Sequence, residues 1–259
     1  MRALAYHQVQ NRIDYSWNTV SPATLRRQMR MLFAAGIRGV PFGEVSWNDA
    51  AASDERTIAV TFDDAMSGAV RHAVPVLAEF GFRGTFFVPT EWVGRENRWD
   101  SRFSGRRASH ATWDELRMAR DHGWEIASHA HSHRDLTHLD ESSLTRECEA
   151  PMEIIMRELG VSVRSLSYPF GRCDDRVARA ARETGYEFAA LSTSPDRAGS
   201  VPDPMRVGRV CVRRFDLAIE FRAKWGGGPL HGWQRAKDRI AYFCNAGTPA
   251  VWQRWSGIR

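Results

Sequence analysis

Short apolar runs alternate with amphipathic stretches over most of the chain, the pattern of a parallel sheet or barrel whose strands are covered by helices. Ala3 to Tyr6 reads as a first strand. Ser21-Pro22 sets a capping hydroxyl before a proline at the first helical position, and Leu25, Met29, Leu32 and Phe33 then recur at helical spacing until Gly36. Ile58 to Phe62 is a run of apolar or β-branched residues that climbs straight into the paired carboxylates of Asp63 and Asp64. Such a run predicts a strand buried on both faces, whose C-terminal end is where ligands collect in α/β folds. A helix from Gly68 to Phe80, stopped by Gly81, and a strand from Gly84 to Pro89 complete two β-α-β units.

The rhythm breaks between Thr90 and His110, a polar stretch rich in Arg and Gly that carries Trp92 and Trp99. A loop this long inside a compact domain is usually functional or disordered. Regular elements return with a helix from Thr112 to His122, a strand from Trp124 to Ser128 and a helix from Ser142 to Leu159. The strand and turn "SLSYPFG", a helix from Val177 to Glu183 and the strands "EFAALS" and "VGRVCV" follow. With 259 residues, 43% of them hydrophobic, one large core is expected, in a single domain over 1–225. From Gly226 onward the sequence has "GGGP", tryptophans and no period, and reads as a wrapping tail over 226–259.

Charge narrows the partners only slightly. The net charge is +5, but the 36 basic residues are scattered among 31 acidic ones, so no nucleic-acid stripe is implied. Cys148, Cys173, Cys211 and Cys244 lack any C-x-x-C spacing and read as scattered small hydrophobes. "MRALAYHQV" has no apolar core of signal-peptide length, and no run approaches the roughly 20 apolar residues of a membrane span. A cytoplasmic protein without an integral membrane segment is the expectation.

The chemistry gathers at two strand ends. The strand ending at Ser128 runs into His129, His131, His133 and His138. If the chain turns helically there, His129 and His133 share one face. Two neutral imidazoles and a carboxylate make a three-ligand site with open positions, the arrangement of a catalytic zinc. Adjacent residues leaving a strand point different ways, so one aspartate can hold a metal while the other serves as a general base. A lone strand-end Asp more often caps the next helix, and a lone loop histidine more often does nothing. The coincidence of both at two strand ends favours a site.

"TFDD" at Thr61 to Asp64, "SHAHSHRDL" at Ser128 to Leu136 and "SYPFG" at Ser167 to Gly171 resemble, in order and spacing, the first three motifs of the polysaccharide deacetylases, carbohydrate esterase family four. The resemblance covers roughly Arg2 to Val212. It implies an irregular (β/α)7 barrel, here with a C-terminal tail, that hydrolyses acetyl groups from sugars with a divalent metal, zinc first and Co2+, Ni2+ or Mn2+ as alternatives. By motif, Asp63 resembles the catalytic base, and Asp64, His129 and His133 the metal ligands. The backbone N–H around Phe170 corresponds to an oxyanion donor. Tyr168, Trp99 and Arg209 are placed on the substrate side. Ala130 stands where the family has a hydroxyl residue, and Ser167 where it has an arginine that steers the base, with Arg209 as the candidate substitute.

The family's general-acid histidine ends a strand near the C-terminus, where this chain offers only His231 in "PLHGW". "RALAYHQV", however, is an apolar strand ending in His7. That resembles the permuted subgroup that includes poly-N-acetylglucosamine deacetylases, and His7 is assigned as the acid. The function implied is removal of an N-acetyl group from an amino sugar or glycan precursor, releasing acetate. Two alternatives stand beside it: hydrolysis of another non-peptide C–N bond, as in deformylation of a sugar, or a metal-free carbohydrate-binding barrel using Trp92, Trp99 and Trp113 as a platform.

Overall fold

The computed structural model describes residues 3–11, 18–47, 54, 56–98, 108–192 and 203–226. The tail, His231, Cys244 and Trp99 lie outside them. In chain order the elements are β1 Ala3–Tyr6, β2 Gln8–Val9, β3 Thr19–Val20, α1 Pro22–Ala34, β4 Arg38–Val40, β5 Thr57–Phe62, α2 Ser67–Ala78, β6 Thr85–Val88 and α3 Trp113–Asp121. They continue with β7 Glu125–Ser128, α4 Glu141–Leu159, β8 Ser165–Ser167, α5 Asp175–Thr184, β9 Phe188–Leu191, β10 Val207–Gly208, β11 Val210–Cys211 and α6 Ala218–Gly226.

The main sheet runs β10-β9-β8-β7-β6-β5-β1-β11, with β4 paired to β5 beside this path. Every described ladder is parallel. Only Arg209 separates β10 from β11; Val207 and Gly208 pair with Ala190 and Leu191, while Val210 and Cys211 pair with Leu4 and Ala5. One stave, broken at Arg209, thus meets both ends of the sheet and leaves a nearly closed parallel barrel. All the C-terminal strand ends therefore share one rim.

Strand alternation sorts the side chains. Ile58, Val60 and Phe62 of β5 belong with the helices in the larger core. Ala3, Ala59, Phe87, Ala127, Phe188 and Ala190 form a separate cluster with Phe42 and Val45, which fills the barrel interior. Alanine on several staves leaves room there for larger groups. Phe42, in the short 3-10 turn Phe42–Glu44, donates its N–H to Thr85 Oγ1 (2.7 Å), and the next N–H, of Gly43, reaches Glu125 Oε2 (2.9 Å). These bonds plug the lower mouth and leave the upper rim for ligands.

Several helix ends fall where local chemistry places them. Ser21 accepts the N–H of Thr24 ahead of Pro22, and Thr112 forms a capping box with Glu115. β2, β3, β4 and α6 carry no strong period and escape a pattern reading. "VGRVCV" is not one strand but two pieces on opposite sides of Arg209.

Gly84 enters β6 where a Cβ would lie 2.6 Å from the Val60 carbonyl oxygen and 2.8 Å from the Trp124 ring. Gly84→Ala should destabilise the barrel by about 1–3 kcal/mol through overpacking. Thermal melts should show a fall of several degrees, and an unchanged midpoint would mean that β5 and Trp124 yield freely.

Candidate active site

Asp63 directly follows β5 on the inward face that carries Ala59 and Thr61, and it is 2% exposed. Its two oxygens accept from Arg209 Nη1 and Nη2, both at 2.7 Å. The remaining Arg209 donors go to Leu191 O (Nε, 3.1 Å), Thr61 Oγ1 (Nη1, 2.9 Å) and Ser167 Oγ (Nη2, 2.9 Å). Its guanidinium also lies 5.2 Å from the Phe87 ring centre. Burial alone would raise the Asp63 carboxyl, but the Arg209 charge and hydrogen bonds, with His129 and His7 adding, hold it well below its ordinary range. The arginine thus grips both carboxylate oxygens, with the Ser167 hydroxyl as one of its further acceptors. Every guanidinium N–H group of Arg209 is taken by a partner within the protein, so its assignment to the substrate side is corrected.

Asp64 turns the other way. Its Oδ1 lies 3.3 Å from His133 Nε2 and 3.6 Å from His129 Nε2, and one ligand atom from each of these three buried residues falls within 4.8 Å of the others. His129 Nδ1 sits 2.7 Å from the Ser167 carbonyl oxygen. A carbonyl only accepts, so Nδ1 carries the proton and Nε2 presents a lone pair toward the carboxylate. Burial pushes both imidazoles down, His133 strongly, which favours their neutral forms. Acceptors converging on one point in a dry pocket fit a divalent cation, and the carbonyl behind His129 is the usual outer support of such a ligand.

His129 and His133 do not meet on a helical turn, as their spacing suggested. Ala130 and His133 instead adopt left-handed backbone conformations, with φ of 59° and 60°, and fold the loop so that the two rings stand 4.9 Å apart. Asp64 and Ala65 are left-handed as well, at 63° and 42°. Among the described residues the remaining non-glycine with positive φ is Phe170, at 59°. Such conformations cost about 1–3 kcal/mol each and persist only where surroundings over-determine them.

Side chains to which the sequence reading gave no such role supply that support. Glu147 of α4, 6% exposed, accepts the N–H groups of His131 (2.9 Å) and Ser132 (2.8 Å) and the Ser132 hydroxyl. Ser128 Oγ accepts the Ala130 N–H at 3.1 Å. Trp92 Nε1 donates to Ser132 O (3.1 Å), and the neighbouring Glu91 N–H donates to His131 O (2.9 Å). His110 Nδ1 lies 2.7 Å from the Asp64 carbonyl oxygen. Glu147 is one charge on a helix face and His110 follows a polar stretch, so neither stands out by period or motif.

The other expected residues divide. The pairing of Tyr6 with Phe62 and the bond from Asp63 N–H to Tyr6 O (2.9 Å) put His7 at the same level of the rim as Asp63. Phe170 packs against His133 with ring centres 4.9 Å apart. Its turn is closed by the N–H groups of Gly171 and Arg172, which donate to Tyr168 O and Pro169 O. Gly171, at φ 66°, is required there, because a Cβ would stand 2.6 Å from the Ser192 side chain. Tyr168 is fully buried and donates to Met205 O at 3.0 Å, so its side chain does not reach a substrate and that assignment is corrected. Trp92 is 8% exposed, which removes it from an exposed sugar platform, and Trp113 is partly buried against the main core.

A family model described as polysaccharide deacetylase matches residues 50–189. YxkH of Bacillus subtilis (strain 168), named for the same family, is 26% identical over 144 residues, which are 56% of this chain and 47% of that protein. The chain thus spans about half the length of this curated relative. A Bacillus cereus polysaccharide deacetylase structure superposes with a TM-score of 0.72 at 22% identity, covering 86% of this chain and 68% of that one. The Streptococcus pyogenes deacetylase PplD, solved with acetate, gives 0.72 at 18%, covering 87% and 97%. IcaB from Ammonifex degensii gives 0.65 at 21%, covering 90% and 96%.

Removing Arg209 would strand a buried carboxylate. Arg209→Met should cost about 3–5 kcal/mol at neutral pH, the usual penalty for breaking a buried pair from one side. Because the folded pKa of Asp63 is depressed, its contribution is present above the ordinary carboxylate range and is lost as pH falls toward the lowered value. The stability gap between wild type and variant, from urea melts, should therefore narrow as pH drops from 7 into that range. A gap that widens on acidification would refute the charge assignment.

Proposed function

The chain belongs to the polysaccharide deacetylase family, and we propose that it removes an N-acetyl group from an amino sugar or glycan precursor by metal-assisted hydrolysis. The observation that carries the reading is the convergence of Asp64, His129 and His133 beside a second carboxylate clamped by Arg209. Asp64, His129 and His133 would hold a divalent cation, zinc by the preference of two imidazoles and a carboxylate, with Co2+, Ni2+ or Mn2+ as substitutes. When bound, such an ion supplies Lewis acidity that makes water a nucleophile near neutral pH.

The protein's own residues then divide the work. Asp63, fixed by Arg209 and kept ionised, is always in its base form, and each oxygen keeps a lone pair beyond the one given to Arg209. It takes the proton of a water whose oxygen bonds to the acetyl carbon. The Phe170 N–H is the donor for the carbonyl oxygen as negative charge builds there. His7 delivers a proton to the nitrogen as the C–N bond breaks, so that acetate and a free amine leave. Structures that share this fold, including one solved with acetate, support the reading.

Acetate assays on short N-acetylated amino-sugar oligomers with zinc test it. Formate from formylated sugars without acetate from acetylated ones would move the chain to a deformylase. A protein that binds sugar with neither metal nor product would be a binding barrel. Asp64→Ala and His133→Ala should lose metal and turnover together. Asp63→Asn should keep metal and lose turnover. His7→Ala should keep metal, lose about 10²- to 10⁴-fold in rate, and lose one limb of the pH profile. Wild-type rates for His7→Ala would return the acid role to His231 or to solvent.

A further inference from the structure

We infer that His110 is a positioning residue for the metal-binding carboxylate, through which the excursion between β6 and α3 fixes the turn carrying Asp64. The inference rests on the metal-site reading above. The described ends of the excursion, 90–98 and 108–111, reach both ligand turns from one side. At the first end, Trp92 donates to Ser132 O, Glu91 donates to His131 O, and Thr90 Oγ1 lies 2.9 Å from His131 Nδ1. At the second, Ser67 N–H donates to Ser109 O (2.9 Å) and Ala111 N–H to Ala65 O (2.8 Å), with His110 bridged to Met66 between them. His110 adds the side-chain bond to the Asp64 carbonyl, from 46 residues away in sequence.

The direction of that bond is fixed. A carbonyl cannot donate, so Nδ1–H of His110 is the donor, and the ring is 2% exposed. His110 is not among the residues whose ligand atoms converge within 4.8 Å, and its hydrogen bond reaches the site at the Asp64 carbonyl. Asp64 and Ala65 are consecutive left-handed residues without a glycine's freedom. Fixing the Asp64 peptide decides where its side chain points, and with it whether Oδ1 meets the two imidazoles. The described ends of the excursion thereby hold both turns.

Asparagine at 110 can place an N–H where His110 Nδ1 stands, since both nitrogens are bonded to Cγ. Leucine keeps bulk without a donor, and glutamine carries its amide one carbon further out. The experiment is zinc binding by metal-stripped protein, titrated against a chromophoric chelator, together with apo-protein melting temperatures. His110→Leu should bind zinc about 10- to 100-fold more weakly, the usual loss when an outer support of a metal ligand is removed. His110→Asn should stay within about threefold of wild type. If His110→Leu does not fold, the comparison of His110→Asn with His110→Gln decides, and only the glutamine variant should lose affinity. Wild-type affinity in a folded His110→Leu or His110→Gln overturns the inference while leaving the deacetylase reading intact. Equal losses in the asparagine and leucine variants, tracking apo stability, would reduce His110 to a core residue. A wild-type protein that takes no zinc would overturn the metal site itself, a result visible before any variant is compared.

Discussion

The pair that the rest of the structure depends on is Arg209 with Asp63, buried inside the barrel. Moving two such charges out of water costs several kcal/mol each, and the attraction between them offsets this only when geometry is near ideal and the spare donors are satisfied. Here the fork is bidentate and the other guanidinium N–H groups find Leu191 O, Thr61 Oγ1 and Ser167 Oγ. Those partners come from β5, β8 and β9, so one side chain stitches together staves on both sides of the gap. The interior alanines at 3, 59, 127 and 190 make the room. The break between β10 and β11 follows: a residue whose side chain must enter the barrel sits where the stave changes neighbours.

Ser167 couples this pair to the candidate metal-binding cluster. Its hydroxyl accepts from Arg209 and its carbonyl accepts from His129. A single strand end thus sets both the direction of Arg209 and the tautomer of His129. The left-handed residues solve the complementary problem. Strand alternation sends Asp63 inward, and a ligand must instead turn back over the rim, which one residue at positive φ can achieve. Asp64, Ala130, His133 and Phe170 use that device, and the strain is held by Glu147, Trp92, Ser128 and His110. That strain clusters where chemistry is proposed is the expected pattern for a pre-organised site.

Much of this was legible in the sequence, for identifiable reasons. Strands such as Thr57–Phe62 are continuous apolar runs, and helices such as Trp113–Asp121 carry caps and stop at glycine. The ligand residues stood out because "TFDD" and "SHAHSH" are dense in chemistry at strand ends. The manner of their meeting was not legible: H-x-x-x-H suggests a helical face, whereas the loop is built from left-handed residues that no glycine announces. The supports were hidden for a similar reason. Glu147 lies on an otherwise ordinary helix and His110 at the end of a polar excursion, so only the fold brings them to the turns they hold. Tyr168 misled because it belongs to a motif, while its ring points into the core toward Met205.

The family match over 50–189 covers the paired aspartates, the histidine loop and the Phe170 turn, yet leaves out both His7 and Arg209. His7 directly follows β1 and Arg209 sits in the β10–β11 stave, neighbours in space that are more than 200 residues apart in sequence. A closed parallel barrel has no first stave, so a strand may enter the slot between β5 and β11 from either end of the chain and still present its last residue at the same rim. The cost is in assembly. Asp63 and Arg209 are separated by 146 residues, and β1 gains its second ladder only when β11 is in place. The β1–β5 ladder already sets His7 beside Asp63, so the closing step is the one that brings in Arg209, and its long-range parallel pairing must be made before its contacts stabilise it. The barrel closure that completes the fold is the same event that completes the site.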